Sequence, residues 1–155
     1  MLQNTLFAPE SSWAVPDIFP QFSETETLAI DLETYDPYLM ACGPGWATGR
    51  GHVVGIGVAM KDWKGYFPIR HEGGGNLDET VVLRWLTNLL SSEKREVIFH
   101  NALYDVGWLR REGIDVKGKI QDTIIAAPLL NENRFSYSLS ALGSFYCDEK
   151  KDESL

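Results

Sequence analysis

Thr27-Leu28-Ala29-Ile30-Asp31-Leu32-Glu33 alternates without a break: Leu28, Ile30 and Leu32 face one side, and Ala29, Asp31 and Glu33 the other. A period of two is the signature of a β-strand with one face in a core. The opposite face carries two carboxylates whose Cα atoms lie roughly 6.6 Å apart, two rises of about 3.3 Å. They can converge on one point. If the strand is central and covered, two uncompensated acids there are costly, and a bound cation removes the cost. If the strand is an edge, the same face is simply solvated. D-x-E alone leaves both readings open.

On the N-terminal side, residues 1–26 read as an arm. Trp13, Pro16, Ile18, Phe19 and Pro20 are able to dock on a surface, while the prolines disfavour a regular element. On the C-terminal side, Asp36-Pro37, Gly43-Pro44-Gly45 and Gly49-Arg50-Gly51 mark residues 36–51 as loop. His52 to Met60 reads as a second strand and Gly65 to Ile69 as a third, with Lys61-Asp62-Trp63-Lys64 between them as a hairpin. Glu72-Gly73-Gly74-Gly75-Asn76 is loop. Asp78 is placed to cap a helix over 79–91 whose buried stripe is Val82, Leu86, Leu89 and Leu90. Glu96 to Phe99 is a short strand. A helix follows from Asn101 or Ala102 to Glu112, stopped by Gly113. Lys117 to Gln121 reads as another strand, and Thr123 to Leu130 and Ser138 to Phe145 as helices, the first kinked or shortened by Pro128. Strands first, then alternating helices and strands, predict a three-layer α/β domain over 27–155. Its mixed sheet has an antiparallel part made of the first three strands.

Composition narrows the function. The 155 residues are 44% apolar and 23% charged, enough for one cored domain and too apolar for a disordered chain. No apolar run approaches the roughly 20 residues of a membrane helix, and the start lacks the pattern of a signal peptide. Two cysteines, Cys42 and Cys147, make no disulfide framework, so a reducing cytoplasm is expected. Fourteen basic against 22 acidic residues give −8, a poor balance for a protein whose main task is gripping duplex DNA. An enzyme using divalent metals supplies carboxylates, and the metals then provide the positive charge.

A second cluster, His100-Asn101-Ala102-Leu103-Tyr104-Asp105, follows the strand at 96–99 directly. In open α/β sheets sites gather where strands end and helices begin, so Asp105 is placed to join Asp31 and Glu33, with Tyr104 offering a ring at the same mouth. The competing reading has Asn101 as a helix cap and Asp105 as a solvated acid in the first turn. Asp122 reads as the cap of the helix after it. Gly73-Gly74-Gly75 lacks the Lys-Ser/Thr of a phosphate loop, and Gly55-x-Gly57 lacks a third glycine. His52, His71 and His100 are too scattered for a zinc set.

Taken in order, Asp31-x-Glu33, Asn101-x-x-Tyr104-Asp105, Asp122-Thr123 with Leu129-Leu130-Asn131, and Tyr137-Ser138-Leu139-x-Ala141-Leu142 resemble one known family. It is the 3′–5′ exonuclease domain of family A DNA polymerases, in the DnaQ-like group with a ribonuclease H-like fold. Gly43-Pro44-Gly45 and Tyr66-Phe67-Pro68-Ile69-Arg70-His71 look most like bacteriophage polymerases. The resemblance implies proofreading hydrolysis at the 3′ end of single-stranded DNA with two Mg²⁺ or Mn²⁺ ions about 4 Å apart. It implies Asp31, Glu33 and Asp105 as catalytic metal ligands, and Thr34, Asn101 and Tyr104 as contacts to the terminal nucleotide. The partner it implies is a polymerase domain, in cis or as a separate chain, in the host cytoplasm if phage-encoded. A fourth carboxylate, in a Tyr-x-x-x-Asp or His-x-x-x-x-Asp motif on a later helix, is missing. The one His-x-x-x-x-Asp, His100 to Asp105, overlaps the second motif. The expectation is therefore an N-terminal piece with little or no activity alone. A 3′–5′ exoribonuclease and a non-catalytic replisome docking module stand as alternatives.

Overall fold

The computed structural model describes residues 14–16 and 18–148. The expectation for Trp13 and the last residues of the predicted domain, 149–155, lie outside these residues.

The strand quoted first is β1 (Leu28–Tyr35), and its alternation is carried out in space: Leu28, Ile30 and Leu32 are buried and Ala29, Asp31 and Glu33 exposed. β2 (His52–Met60) pairs antiparallel with β1, and β3 (Trp63–Pro68) antiparallel with β2. β4 (Glu96–Phe99) runs parallel to β1, and β5 (Lys119–Asp122) parallel to β4. The sheet order is therefore β3-β2-β1-β4-β5, with β1 at the centre, and its first three strands form the antiparallel part as expected.

The buried face of the sheet packs on α3 (Glu79–Leu90) and α4 (Ala102–Arg111), joining Leu28, Ile30, Ile56 and Phe67 to Val82, Leu86, Leu90, Trp108 and Leu109 in one core. Each such side chain stabilises the fold by about 1.5–3 kcal/mol through removal from water. Asp78 caps α3, accepting from Val81 N at 3.0 Å, and Gly113 follows α4 with φ +80°. The arm docks as expected through Phe19, which stacks on Phe67 with centroids 5.6 Å apart, and through Pro20, whose carbonyl accepts from Trp85 Nε1 at 3.0 Å. Ile18 does not dock; it is 75% exposed.

Three expectations are corrected. Residues 36–51 are not plain loop: they hold two one-turn helices, α1 (Leu39–Cys42) and α2 (Gly45–Thr48). The hairpin after β2 is tighter than expected, since β3 begins at Trp63. Pro128 neither breaks nor shortens α5 (Thr123–Leu130), which runs past it to Leu130. Among the described residues the chain ends with α6 (Leu139–Tyr146), capped by Ser138 through Ala141 N at 3.3 Å. α5 and α6 lie toward the acid-bearing face of the sheet and leave Ile125, Leu129, Leu130 and Phe145 exposed.

Candidate active site

Asp31 and Glu33 stand on the open face of β1, two residues apart, and point the same way. Across the ladder Asp31 faces Gly57 and Glu33 faces Gly55, so no side chain from β2 crowds either acid. Immediately afterwards the register slips between Glu33 and Thr34. Such a bulge turns a strand and re-aims its side chains, and bulges concentrate beside active sites.

Asp105 comes from the first turn of α4 and is 4% exposed, so the solvated-acid reading fails. Its Oδ1 accepts from Leu32 N at 3.0 Å, the peptide lying between the two strand acids. The cause is the short neighbour: β1 pairs with β4 only through Leu28 and Ala29, so the Leu32 N–H lies beyond that ladder and takes its acceptor from α4. Burial pushes the Asp105 carboxyl up to about 7; the Leu32 N–H draws it down, while the negative Asp31 and Asp122 push it up. A buried acid repelled by its neighbours, in an all-oxygen set, is the chemistry that suits a hard divalent cation. As they stand, the three acids are a partial set: among the described residues no three His, Cys, Asp or Glu side chains gather closely enough to hold an ion.

Beside Asp31 opens a cleft of about 400 Å³ between the sheet and the last two helices, lined among others by Ala29, Tyr66, His100, Thr123 and Leu139. Glu33 and Asp105 lie outside its lining. His100 Nδ1 sits 2.9 Å from Thr123 Oγ1, which donates to Phe99 O at 3.1 Å.

The other residues singled out from the sequence divide. Thr34 Oγ1 lies 2.9 Å from Tyr104 Oη, and Tyr104 Oη donates to Asp36 Oδ2 at 3.0 Å. Asp36 Oδ2 also accepts from Gly45 N at 2.8 Å, so the Tyr104 hydroxyl helps anchor the 36–51 segment on α4. Burial, ahead of the other influences, raises the Tyr104 phenol. Asn101 is exposed and left-handed, with φ 73° and ψ 56°, a conformation asparagine tolerates better than most residues. Its side chain does not cap α4. Asp122 does, accepting from Asn101 N at 3.0 Å and Ala102 N at 2.8 Å, and it also caps α5 through Ile124 N at 3.1 Å.

Sequence reasoning missed Tyr66 and His71. Tyr66 Oη lies 2.5 Å from His71 Nε2, and burial first, then Glu33 and Asp31, push the phenol up to about 12. The available signal was Gly55-x-Gly57, set aside as an incomplete phosphate motif; these glycines form the floor facing the acids.

The sequence matches the family described as 3′–5′ exonuclease, of the DNA polymerase A type, over residues 10–154. A DNA-directed DNA polymerase of Pseudomonas phage M6 is 38% identical over 163 residues, covering 99% of this chain and 24% of the relative. DNA polymerase I of Borreliella burgdorferi is 26% identical over 137 residues, covering 86% and 14%. The chain thus spans a quarter or less of these polymerases. Among solved structures, the catalytic core of RRP6 from Trypanosoma brucei superposes with a TM-score of 0.62 at 19% identity, over 84% of this chain and 31% of that one. Brucella melitensis NrnC with bound Mg²⁺ gives 0.59 at 18%, over 83% and 57%. The mixed sheet with its helices is the ribonuclease H-like fold of such exonucleases. With a match that runs nearly end to end, this chain belongs to the 3′–5′ exonuclease family of the DNA polymerase A type.

Proposed function

We propose that this chain is the proofreading part of a DNA polymerase, hydrolysing the 3′-terminal phosphodiester of single-stranded DNA with two divalent ions, Mg²⁺ or Mn²⁺. The observation that carries the reading is the Asp105–Leu32 N hydrogen bond, which holds the third acid against the peptide joining Asp31 and Glu33. In this reading Asp31, Glu33 and Asp105 would hold the ions, Asp31 serving both, Glu33 one and Asp105 the other; when bound, they would supply a lowered pKa for the attacking water and charge stabilisation of the in-line displacement. The chain's own part is positional. Asp105 is fixed by a backbone donor, Asp31 by the central strand, and Gly57 opposite Asp31 keeps room for the scissile phosphate. Asn101 and the half-buried ring of Tyr104 receive the terminal nucleotide, and Thr34 reaches it past the bulge. A further carboxylate, from residues beyond those described, completes the set. The exposed apolar side of α5 and α6 supports covering by more polypeptide, and a polymerase is the natural neighbour. No described helix is long and apolar enough to cross a membrane, and a phage-encoded chain would work in the host cytoplasm.

The test is release of nucleoside monophosphates from 3′-labelled single-stranded DNA, with single-stranded RNA in parallel. The chain alone is expected to act slowly or not at all, and the polypeptide joined to its polymerase is expected to prefer DNA and need Mg²⁺ or Mn²⁺. A robust metal-dependent rate from the chain alone overturns the need for a fourth ligand. Faster hydrolysis of RNA overturns the substrate assignment.

A further inference from the structure

Tyr66 reaches the acid face from β3, a strand to which none of the acids belongs. Register places it in line with Gly57 and Asp31, but its ring leans diagonally over Gly55. A Cβ built on Gly55 would sit only 1.9 Å from Tyr66 Oη and 2.3 Å from its Cζ. The hydroxyl therefore occupies the space where a side chain at position 55 would stand. Gly55 is the cross-strand partner of Glu33, and facing Cβ atoms in such a pair lie about 4.5–5.5 Å apart. Tyr66 Oη thus fills the cross-strand place opposite Glu33. The Tyr66 phenol is raised first by burial and then by the negative charges of Glu33 and Asp31, in that order, which agrees with this placement.

Behind the hydroxyl stands His71, its Nε2 2.5 Å from Oη and the two rings edge-on at 5.8 Å. His71 is itself set by a two-way clamp: its N donates to Asn76 Oδ1 at 2.7 Å, and Asn76 Nδ2 donates to its carbonyl at 2.8 Å. The clamp closes the excursion through Gly73, Gly74 and Gly75. The imidazole is thereby aimed at the tyrosine although the loop is exposed.

We propose that Tyr66, held by His71, is a positioning residue for Glu33: with His71 Nε2–H donating to Oη, the phenolic O–H is directed at the Glu33 carboxylate and fixes its orientation beside Asp31. The inference rests on the acids acting as proposed above. Outer-shell partners of metal-binding carboxylates commonly contribute about 10–100-fold in affinity, and Tyr66 takes that place here.

Mn²⁺ alone, titrated and followed by electron paramagnetic resonance, tests this on the full chain. Tyr66→Phe keeps the ring over Gly55 and is expected to weaken Mn²⁺ binding about 10-fold, with the circular dichroism spectrum and thermal midpoint unchanged. In a Glu33→Gln background the same substitution is expected to cost nothing more. Gly55→Ala, which drives the hydroxyl from its place, is expected to mimic Tyr66→Phe, and Tyr66→Phe decides the matter if that variant does not fold. If Glu33→Gln weakens binding and Tyr66→Phe does not, the inference fails and the acid site stands. A loss undiminished in the Glu33→Gln background also overturns it. If Glu33→Gln has no effect on Mn²⁺, the reading of the acid site fails and the inference falls with it.

Discussion

Asp105→Asn should make the metal-free protein more stable at alkaline pH. The ionised Asp105 carboxylate is buried and faces Asp31 and Asp122, and its folded-state pKa is pushed up to about 7 from an ordinary 3.8. The folded chain therefore holds a proton that the unfolded chain releases. The stability linked to that proton is full below the unfolded pKa and is lost as pH rises through the folded one. A gap of about three units corresponds to about 4 kcal/mol in all, of which about 2.5 kcal/mol is lost between about pH 5 and pH 8. Asparagine carries no charge, and its carbonyl oxygen can still accept from Leu32 N, but its NH₂ group needs a partner at a cost of about 1 kcal/mol. The variant is thus expected to exceed the wild type by about 2–3 kcal/mol at pH 8 and to have much less advantage at pH 5. Urea unfolding in EDTA at both pH values measures this. Added Mg²⁺ should then raise the wild type and leave Asp105→Asn nearly unmoved. A variant less stable than the wild type at pH 8, or a stability difference that does not change with pH, refutes the reasoning.

Three other outcomes are expected. Asp31→Ala should abolish nuclease activity of the polypeptide joined to its polymerase, leaving the thermal midpoint almost unmoved because the side chain lies on the exposed face of β1; loss of folding would make Asp31 structural. Arg70→Ala should destabilise by about 2–4 kcal/mol in urea, because its guanidinium bonds both oxygens of Glu112 at 2.7 and 2.8 Å, Glu79, and the Val53 carbonyl, tying the end of β3 to α3 and α4. Tyr104→Phe should cost about 1–2 kcal/mol and speed amide exchange across 36–51, since it removes the hydroxyl shared by Thr34 and Asp36.

Local patterns made much of the fold legible. The period of two in β1, the Asp78 cap with its apolar stripe, and the Gly113 stop are each written in adjacent residues, and each formed as read. The one-turn helices at 36–51 were hidden because tertiary bonds hold them: Asp36 to Gly45 N, and Arg111 Nη1 to Gly45 O at 2.6 Å. Pro128 misled because a proline near a helix end removes only one bond, and the last turn still closes through Asn131 N on Ala127 O at 3.1 Å. In the site, the common face of Asp31 and Glu33 follows from spacing alone. The burial of Asp105 does not, since it depends on how soon β4 stops relative to β1. Capping by Asp122 rather than Asn101 was hidden likewise, because parallel pairing sets Asp122 beside Phe99 across β4 and β5.

One carboxylate serving two helices also has a mechanical meaning. Asp122 ends β5 and grips the first turns of α4 and α5 together, as a pin holds two leaves of a hinge. α5, whose outer side is apolar and exposed, thus shares its capping carboxylate with the start of α4, one turn before Asp105. Removing that carboxylate should therefore loosen the first turns of both helices at once.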